Sequence, residues 1–82
     1  MSKFRVYDIR DDVAEKFKGL FPAENAEEAM RIFRTSLEKA PAYTRRDYSL
    51  WYILTYDENT GEVSNAKAEK VELKDLFDKM EG

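Results

Sequence analysis

The sequence predicts an α+β protein: a small antiparallel sheet in the order β-α-β-β, with one main helix packed on it and a short C-terminal helix. Three observations predict it, namely a strand-like alternation at the start, an amphipathic stripe in the middle and a later run of aromatic and β-branched residues. Because 82 residues are too few for two hydrophobic cores, residues 1–82 are expected to form a single domain.

The first strand is predicted over residues 3–9, where side chains alternate with a period of two. A single helical turn is predicted next, because Asp12 stands three residues before Glu15, which is the spacing of a capping box. Gly19 is placed to end this turn. Pro22 closes the segment, since proline disfavours helix in the residue before it.

The main helix has the clearest pattern in the chain. Asn25 is a good N-cap, Glu28 sits at the third helical position, and Pro41 ends the helical pattern. An apolar stripe at helical spacing marks the face that should pack on the sheet, and it consists of Ala26, Ala29, Met30, Phe33, Leu37 and Ala40.

The strongest strand signal covers residues 48–57, which are rich in aromatic and β-branched side chains. Both faces of this strand are apolar. A strict period of two places five residues on one face, namely Tyr48, Leu50, Tyr52, Leu54 and Tyr56.

A hairpin turn is predicted over residues 57–61, with Gly61 supplying the positive φ that a bulged type I connection requires. The third strand should start near Glu62 and be short, at an edge where lysines discourage further pairing. A short amphipathic helix is predicted near the C-terminus from the spacing of Leu73, Leu76, Phe77 and Met80.

Composition argues against catalysis and for binding. The chain has no histidine and no cysteine, so it lacks the commonest general base, the thiolate nucleophile and the usual zinc ligands. No glycine-rich phosphate loop is present, and the carboxylates stand at predicted helix starts and turns. We therefore expect no enzyme activity, no catalytic residue, no metal and no cofactor.

No apolar run approaches the roughly 20 residues that a membrane span needs, and no signal peptide precedes the first strand. The expected location is the cytoplasm, and the host cytoplasm if the protein comes from a phage. The net charge of −3 does not draw the protein onto nucleic acid as a whole, so such binding must use a local basic patch.

One such patch interleaves basic and aromatic side chains. Single-stranded nucleic acid is held by cations that follow the phosphates and by rings on which bases stack. The candidate nucleic-acid-binding residues are Arg31, Arg34, Tyr43, Arg45, Arg46 and Tyr48. The alternative is that the arginines after the main helix are a solvated connection paired with nearby acids.

The tyrosine-rich strand suggests a second surface. Tyr52, Leu54 and Tyr56 are candidate partner-binding residues, because tyrosine can lie half-buried with its hydroxyl in water. The alternative interpretation is that they form the rim of the core.

The order of motifs resembles the small nonstructural protein of gokushovirus-type microviruses, which are single-stranded DNA phages. The resemblance rests on F-R-V-Y-D at the start, E-A-M-R-I-F in the helix, D-Y-S-L-W-Y-I-L-T-Y-D in the long strand and T-G-E-V-S-N after the turn. It covers about residues 4–65, while Tyr52 and Leu54 stand where the family more often has a polar residue and glycine. It implies a phage accessory protein with a DNA-binding role in genome replication or packaging.

The first functional hypothesis is therefore a non-enzymatic phage protein that associates with single-stranded DNA. The rival hypothesis is an inhibitor of a host defence system, of the anti-CRISPR kind, whose acidic surface binds a host protein in place of DNA. A homodimer formed through the apolar strand or the terminal helix is compatible with both.

Overall fold

The structure is a computed structural model that describes residues 3–72. Its elements are β1 (Lys3–Asp11), β2 (Lys16–Ala23), α1 (Ala26–Leu37), a 3-10 helix (Ala42–Asp47), β3 (Tyr48–Asp57), β4 (Val63–Ser64) and β5 (Glu69–Lys70). The strands form one sheet in the spatial order β2-β1-β3-β4, with β5 also paired to β3, and every pairing is antiparallel. The predicted α+β class, with one main helix on an antiparallel sheet, is confirmed.

The helical turn predicted after the first strand is wrong, because this segment is the turn of a β-hairpin that joins β1 to β2. Asp11 Oδ1 accepts hydrogen bonds from the backbone N–H groups of Val13 and Ala14, at 3.1 and 3.0 Å, and so closes the turn. Asp12, interpreted from the sequence as a helix cap, instead pairs its carboxylate with Arg10 at 2.8 Å. The sheet therefore contains a strand, β2, that the prediction lacks.

The start of α1 is confirmed, since Asn25 Oδ1 accepts a hydrogen bond from the Glu28 backbone N–H at 2.9 Å. The helix ends at Leu37, one turn before the predicted end at Ala40. No helix within residues 3–72 is long and apolar enough to cross a membrane.

The hydrophobic core lies between α1 and the sheet face that α1 covers. Its buried side chains come from β1, β2, α1 and β3, and they are Tyr7, Ala23, Ala29, Met30, Phe33 and Leu50. Burying a large apolar side chain stabilises the folded state by roughly 1.5–3 kcal/mol, so this small set holds the two layers together.

The strand β3 has the predicted bounds, but a β-bulge interrupts it at Ile53. Val6 of β1 pairs with Leu54, whereas the next residue, Tyr7, pairs with Tyr52. Ile53 therefore has no partner on β1, and one extra residue is inserted into β3.

The bulge makes the predicted single tyrosine face wrong, because one inserted residue inverts a period of two. Tyr52 lies beside Tyr7 on the α1 side, with ring centroids 5.6 Å apart. Tyr56 lies beside Phe4 on the opposite side, with ring centroids 5.4 Å apart. The five side chains that the alternation placed together are thus divided between the two faces.

The hairpin turn after β3 is confirmed. Gly61 has φ 76°, and its N–H donates to the Asp57 carbonyl oxygen at 2.7 Å. The strand that follows is short and lies at the edge, as predicted, but Asn65 at φ 52° separates it into β4 and β5. The predicted C-terminal helix lies outside the described residues.

The side of the sheet opposite α1 is apolar, and no other element within residues 3–72 covers it. Phe17 and Leu20 of β2 lie on it, with 45% and 60% of their surface exposed. We call this surface the open face, and its apolar residues are Phe4, Val6, Phe17, Leu20, Trp51, Leu54 and Tyr56.

Candidate nucleic-acid interface

Two of the sequence-predicted arginines, Arg34 and Arg45, lie together where α1 ends and the 3-10 helix follows, whereas Arg31 lies in the middle of α1. Arg34 of α1 and Arg45 of the 3-10 helix line the same surface depression of about 250 Å³. Residues 31–47 contain five basic and two acidic side chains, a net charge of +3 in a chain whose total is −3. We call this region the basic end, and its cations are Lys18, Arg31, Arg34, Lys39, Arg45 and Arg46.

Arg45 has a structural role at the basic end. Its Nε donates to the Leu37 carbonyl oxygen at 3.0 Å, and its Nη2 donates to the Glu38 carbonyl oxygen at 3.4 Å. The last carbonyl groups of a helix have no partner within the helix and carry partial negative charge, so a guanidinium there is favourable. Arg45 therefore fixes the 3-10 helix against the end of α1.

The two tyrosines of the predicted patch have different surroundings. Tyr43 is 78% exposed on the 3-10 helix, whereas Tyr48 is half-buried and packs against the core. Tyr48 also lines a second depression of about 360 Å³, together with Lys18 and Lys39. The structure thus adds Lys39 and Lys18 to the patch, and Lys18 could not be connected with it from the sequence because that residue was assigned to a helical turn.

The predicted partner-binding residues are not brought together. Tyr52 lies on the α1 side, where the Arg5 guanidinium stands over its ring at 5.5 Å and its hydroxyl is hydrogen-bonded to Thr55. Leu54 and Tyr56 lie on the open face. A partner that contacts Leu54 and Tyr56 on the open face therefore does not reach Tyr52 on the opposite face.

A pair of aromatic rings on the open face was missed from the sequence. Phe17 of β2 and Trp51 of β3 meet edge to face, with centroids 5.7 Å apart and ring planes at 81°. The Trp51 indole Nε1 donates to Ser49 Oγ at 2.9 Å, and the guanidinium of Arg10 stands 5.8 Å from the Phe17 centroid. The alternation in K-F-K was the signal that could have identified β2, but the capping-box spacing obscured it.

The carboxylate beside this aromatic pair is already bonded. Asp12 Oδ1 accepts hydrogen bonds from Arg10 Nη1 at 2.8 Å and Ser49 Oγ at 2.9 Å. Desolvation acts to raise the pKa of Asp12, but the hydrogen bonds from Arg10 and Ser49 and the charges of Arg10 and Lys70 outweigh it. The pKa therefore lies below its usual value, and the group is ionised and paired at neutral pH.

Comparison with known proteins places the chain in a family. The family model described as Phage ORF5 protein matches residues 4–77, nearly the whole chain. The chain belongs to the Phage ORF5 protein family. Membership in this family confirms the phage part of the resemblance seen in the sequence. No curated protein and no solved structure matches the chain.

Proposed function

We propose that this member of the Phage ORF5 family acts by binding, without catalysis or a cofactor, and that its ligand is single-stranded DNA in the host cytoplasm. The observation that carries the proposal is the concentration of cations at the basic end. The 65 residues outside the range 31–47 have a net charge of −6, so the positive charge is local. A local basic patch beside exposed aromatic groups is the arrangement that sequence-independent single-strand binding uses.

The structure limits which cations are available to phosphate. Arg45 already donates to two carbonyl groups at the end of α1. Arg31 and Arg46 are exposed, and Tyr43 stands on the same 3-10 helix as Arg46. We therefore assign the phosphate contacts mainly to Arg31 and Arg46, and we assign Arg45 the role of holding the 3-10 helix in place.

The resemblance to gokushovirus-type microviruses supports this choice of ligand, because those phages have single-stranded DNA genomes. Within the proposal, the protein accompanies the viral strand during replication or packaging. The acidic remainder of the molecule weakens binding through repulsion of phosphate, so we expect modest affinity with strong salt dependence.

The test is fluorescence anisotropy of a labelled oligothymidylate of about 16 nucleotides, titrated with protein between about 50 and 200 mM salt. The double variant R31E/R46E should bind more weakly. Because glutamate also repels phosphate, the salt dependence is measured on the neutral double variant R31Q/R46Q. The slope of log affinity against log salt concentration should be smaller by about 0.7 for each lost phosphate contact.

The matched control is the double variant K3E/K67E, which also reverses two exposed cations, both of them outside residues 31–47. This variant should change affinity far less than R31E/R46E. Absence of any binding at the lowest salt, or equal effects of the control and of R31E/R46E, would refute the proposal.

A second candidate function is inhibition of a host DNA-binding effector. Glu24 and Glu58 line a depression of about 530 Å³ beside the start of α1, at the opposite end of the helix from the basic end. Carboxylates there could occupy a channel that normally receives phosphates. If oligothymidylate does not bind and the wild-type chain captures a purified defence nuclease in a Glu24-dependent manner, this candidate replaces the first.

A further inference from the structure

We infer that bases of the bound single strand stack on the open face of the sheet, at the aromatic pair formed by Phe17 and Trp51. The inference rests on the proposed function and extends it from the basic end, which attracts phosphates, to a second surface that takes the bases. The chemical class of the ligand is an unpaired nucleobase with its flanking phosphate.

The two rings are held in place before any ligand arrives. The indole Nε1 of Trp51 is bonded to Ser49 Oγ at 2.9 Å, and Phe17 packs against the indole at 5.7 Å. Phe17 is nevertheless 45% exposed. A fixed and exposed ring loses little conformational entropy on binding, so stacking on it costs less than stacking on a mobile side chain.

Each ring also has a cation as its cross-strand neighbour. Arg10 is the register partner of Phe17, and Lys70 is the register partner of Trp51. Directly paired residues of an antiparallel sheet project to the same face, so each cation stands next to its ring. Because Arg10 is already paired with Asp12 at 2.8 Å, we assign the phosphate of a stacked base to Lys70 beside Trp51, and this cation favours a nucleic acid over an apolar protein surface.

Two carboxylates beside the rings, Asp8 and Asp12, accept hydrogen bonds from neighbouring groups of the sheet. Asp12 is paired with Arg10 and accepts from Ser49, as described above. Asp8 is only 5% exposed, and its Oδ1 accepts from the backbone N–H groups of Ile9 and Gly19 at 2.7 and 2.8 Å. Repulsion of phosphate from this part of the open face is therefore reduced.

The β1–β2 turn beside the open face contacts the 3-10 helix of the basic end. The backbone N–H of Asp12 donates to the Asp47 carbonyl oxygen at 2.8 Å, which joins the β1–β2 turn to the end of the 3-10 helix. Ser49, three residues after Arg46, already lies on the open face. In this inference, a single strand held at Arg46 passes round the end of β3 to reach Trp51.

The test uses Trp51 as its own reporter, because it is the only tryptophan in the chain. Unlabelled oligothymidylate should quench the Trp51 emission over the same concentrations that raise the anisotropy of labelled DNA. Phe17→Ala should weaken binding about tenfold, as expected for the loss of one stacked base. Phe17→Tyr should retain affinity, and Val13→Ala, which removes an exposed apolar side chain without a ring outside the open face, is the matched control.

The outcomes separate the two proposals. DNA binding that R31E/R46E weakens, but that leaves Trp51 emission and the Phe17→Ala affinity unchanged, overturns the stacking site and keeps the basic end. No binding in either assay overturns both. A stable dimer by sizing that Phe17→Ala converts to monomer identifies the open face as a protein interface and also overturns the inference. Circular dichroism confirms that each variant is folded.

Discussion

Asp11 and Asp12 are adjacent in sequence but bond in different directions. Asp11 accepts from backbone N–H groups in its own turn, whereas Asp12 reaches across to Ser49 of β3, 37 residues away. The hydrogen bonds of Asp12 connect the first hairpin to β3 beside Trp51. Ser49 donates to Asp12 and accepts from the Trp51 indole, so Asp12 helps to position the proposed stacking site.

Replacing Asp12 by Asn should reduce stability at neutral pH by less than about 1 kcal/mol, since 38% of its side chain is exposed and solvent screens the pair. Because the folded state lowers the pKa of Asp12, its contribution is complete above the unfolded pKa of about 3.9 and is lost as the pH falls through the folded value. The wild-type and D12N urea midpoints should therefore converge as the pH is lowered below about 4.

The control is the same substitution in an Arg10→Gln background, which removes the main partner of Asp12. In that background, the difference in urea midpoint that Asp12→Asn causes should depend less on pH. If the urea midpoints of wild type and D12N stay equally far apart, or move further apart, as the pH falls, the lowered pKa of Asp12 in the folded state is contradicted.

At the scale of elements, turns and bulges determine on which face of the sheet each side chain lies. The hairpin after β3 depends on Gly61 at φ 76°, a region that L-residues with a Cβ adopt at a cost. The bulge at Ile53 depends on pairing with β1 and assigns the aromatic side chains of β3 to opposite faces.

Gly61→Ala should destabilise the fold by about 1–2 kcal/mol, because the left-handed conformation brings Cβ too close to the backbone. The nearest non-neighbouring atom to an added Cβ is Tyr56 Oη at 4.0 Å, so the cost is conformational and not a clash with a distant residue. Gly19→Ala is the matched control, since no heavy atom lies within 4 Å of its added Cβ and its φ is not in the left-handed region. Urea denaturation of both variants checks the prediction, and equal losses would contradict it.

At the scale of the whole molecule, the described chain has its core on one side of the sheet. The buried cluster lies between α1 and the strands, while the other side presents Phe17 and Leu20 to solvent. Charge is also divided, with net +3 in residues 31–47 and net −6 elsewhere. Within residues 3–72, one side of the sheet therefore maintains the fold, whereas the open face and the basic end carry the proposed binding.

Met30→Ala should cost about 2–5 kcal/mol, because Met30 is fully buried and its removal leaves a cavity. That is a large fraction of the roughly 5–15 kcal/mol that stabilises a small domain. Leu20→Ala, at a side chain that is 60% exposed, should change stability by less than about 0.5 kcal/mol. Chemical denaturation followed by far-ultraviolet circular dichroism measures both, and a comparable loss for Leu20→Ala would show that the open face is buried in solution.

The candidate site was predictable only in part. The cations of residues 31–47 stand out in the sequence, and the structure places Arg34 and Arg45 at one depression. The contribution of Lys18, the capping role of Arg45 and the contact of Phe17 with Trp51 all depend on residues distant in the chain. No local sequence pattern predicts contacts between residues so far apart in the chain.

The sequence by itself determined the α+β class, the Asn25 cap of α1, the bounds of β3 and the turn at Gly61. Caps, strand propensity and turn dihedrals act over a few residues, so they can be read locally. Only the tertiary structure decided the β1–β2 hairpin, the bulge at Ile53 and hence which rings lie on the open face. Strand pairing sets these features, because a hydrogen-bonded partner determines whether an extra residue is accommodated and which way every later side chain points.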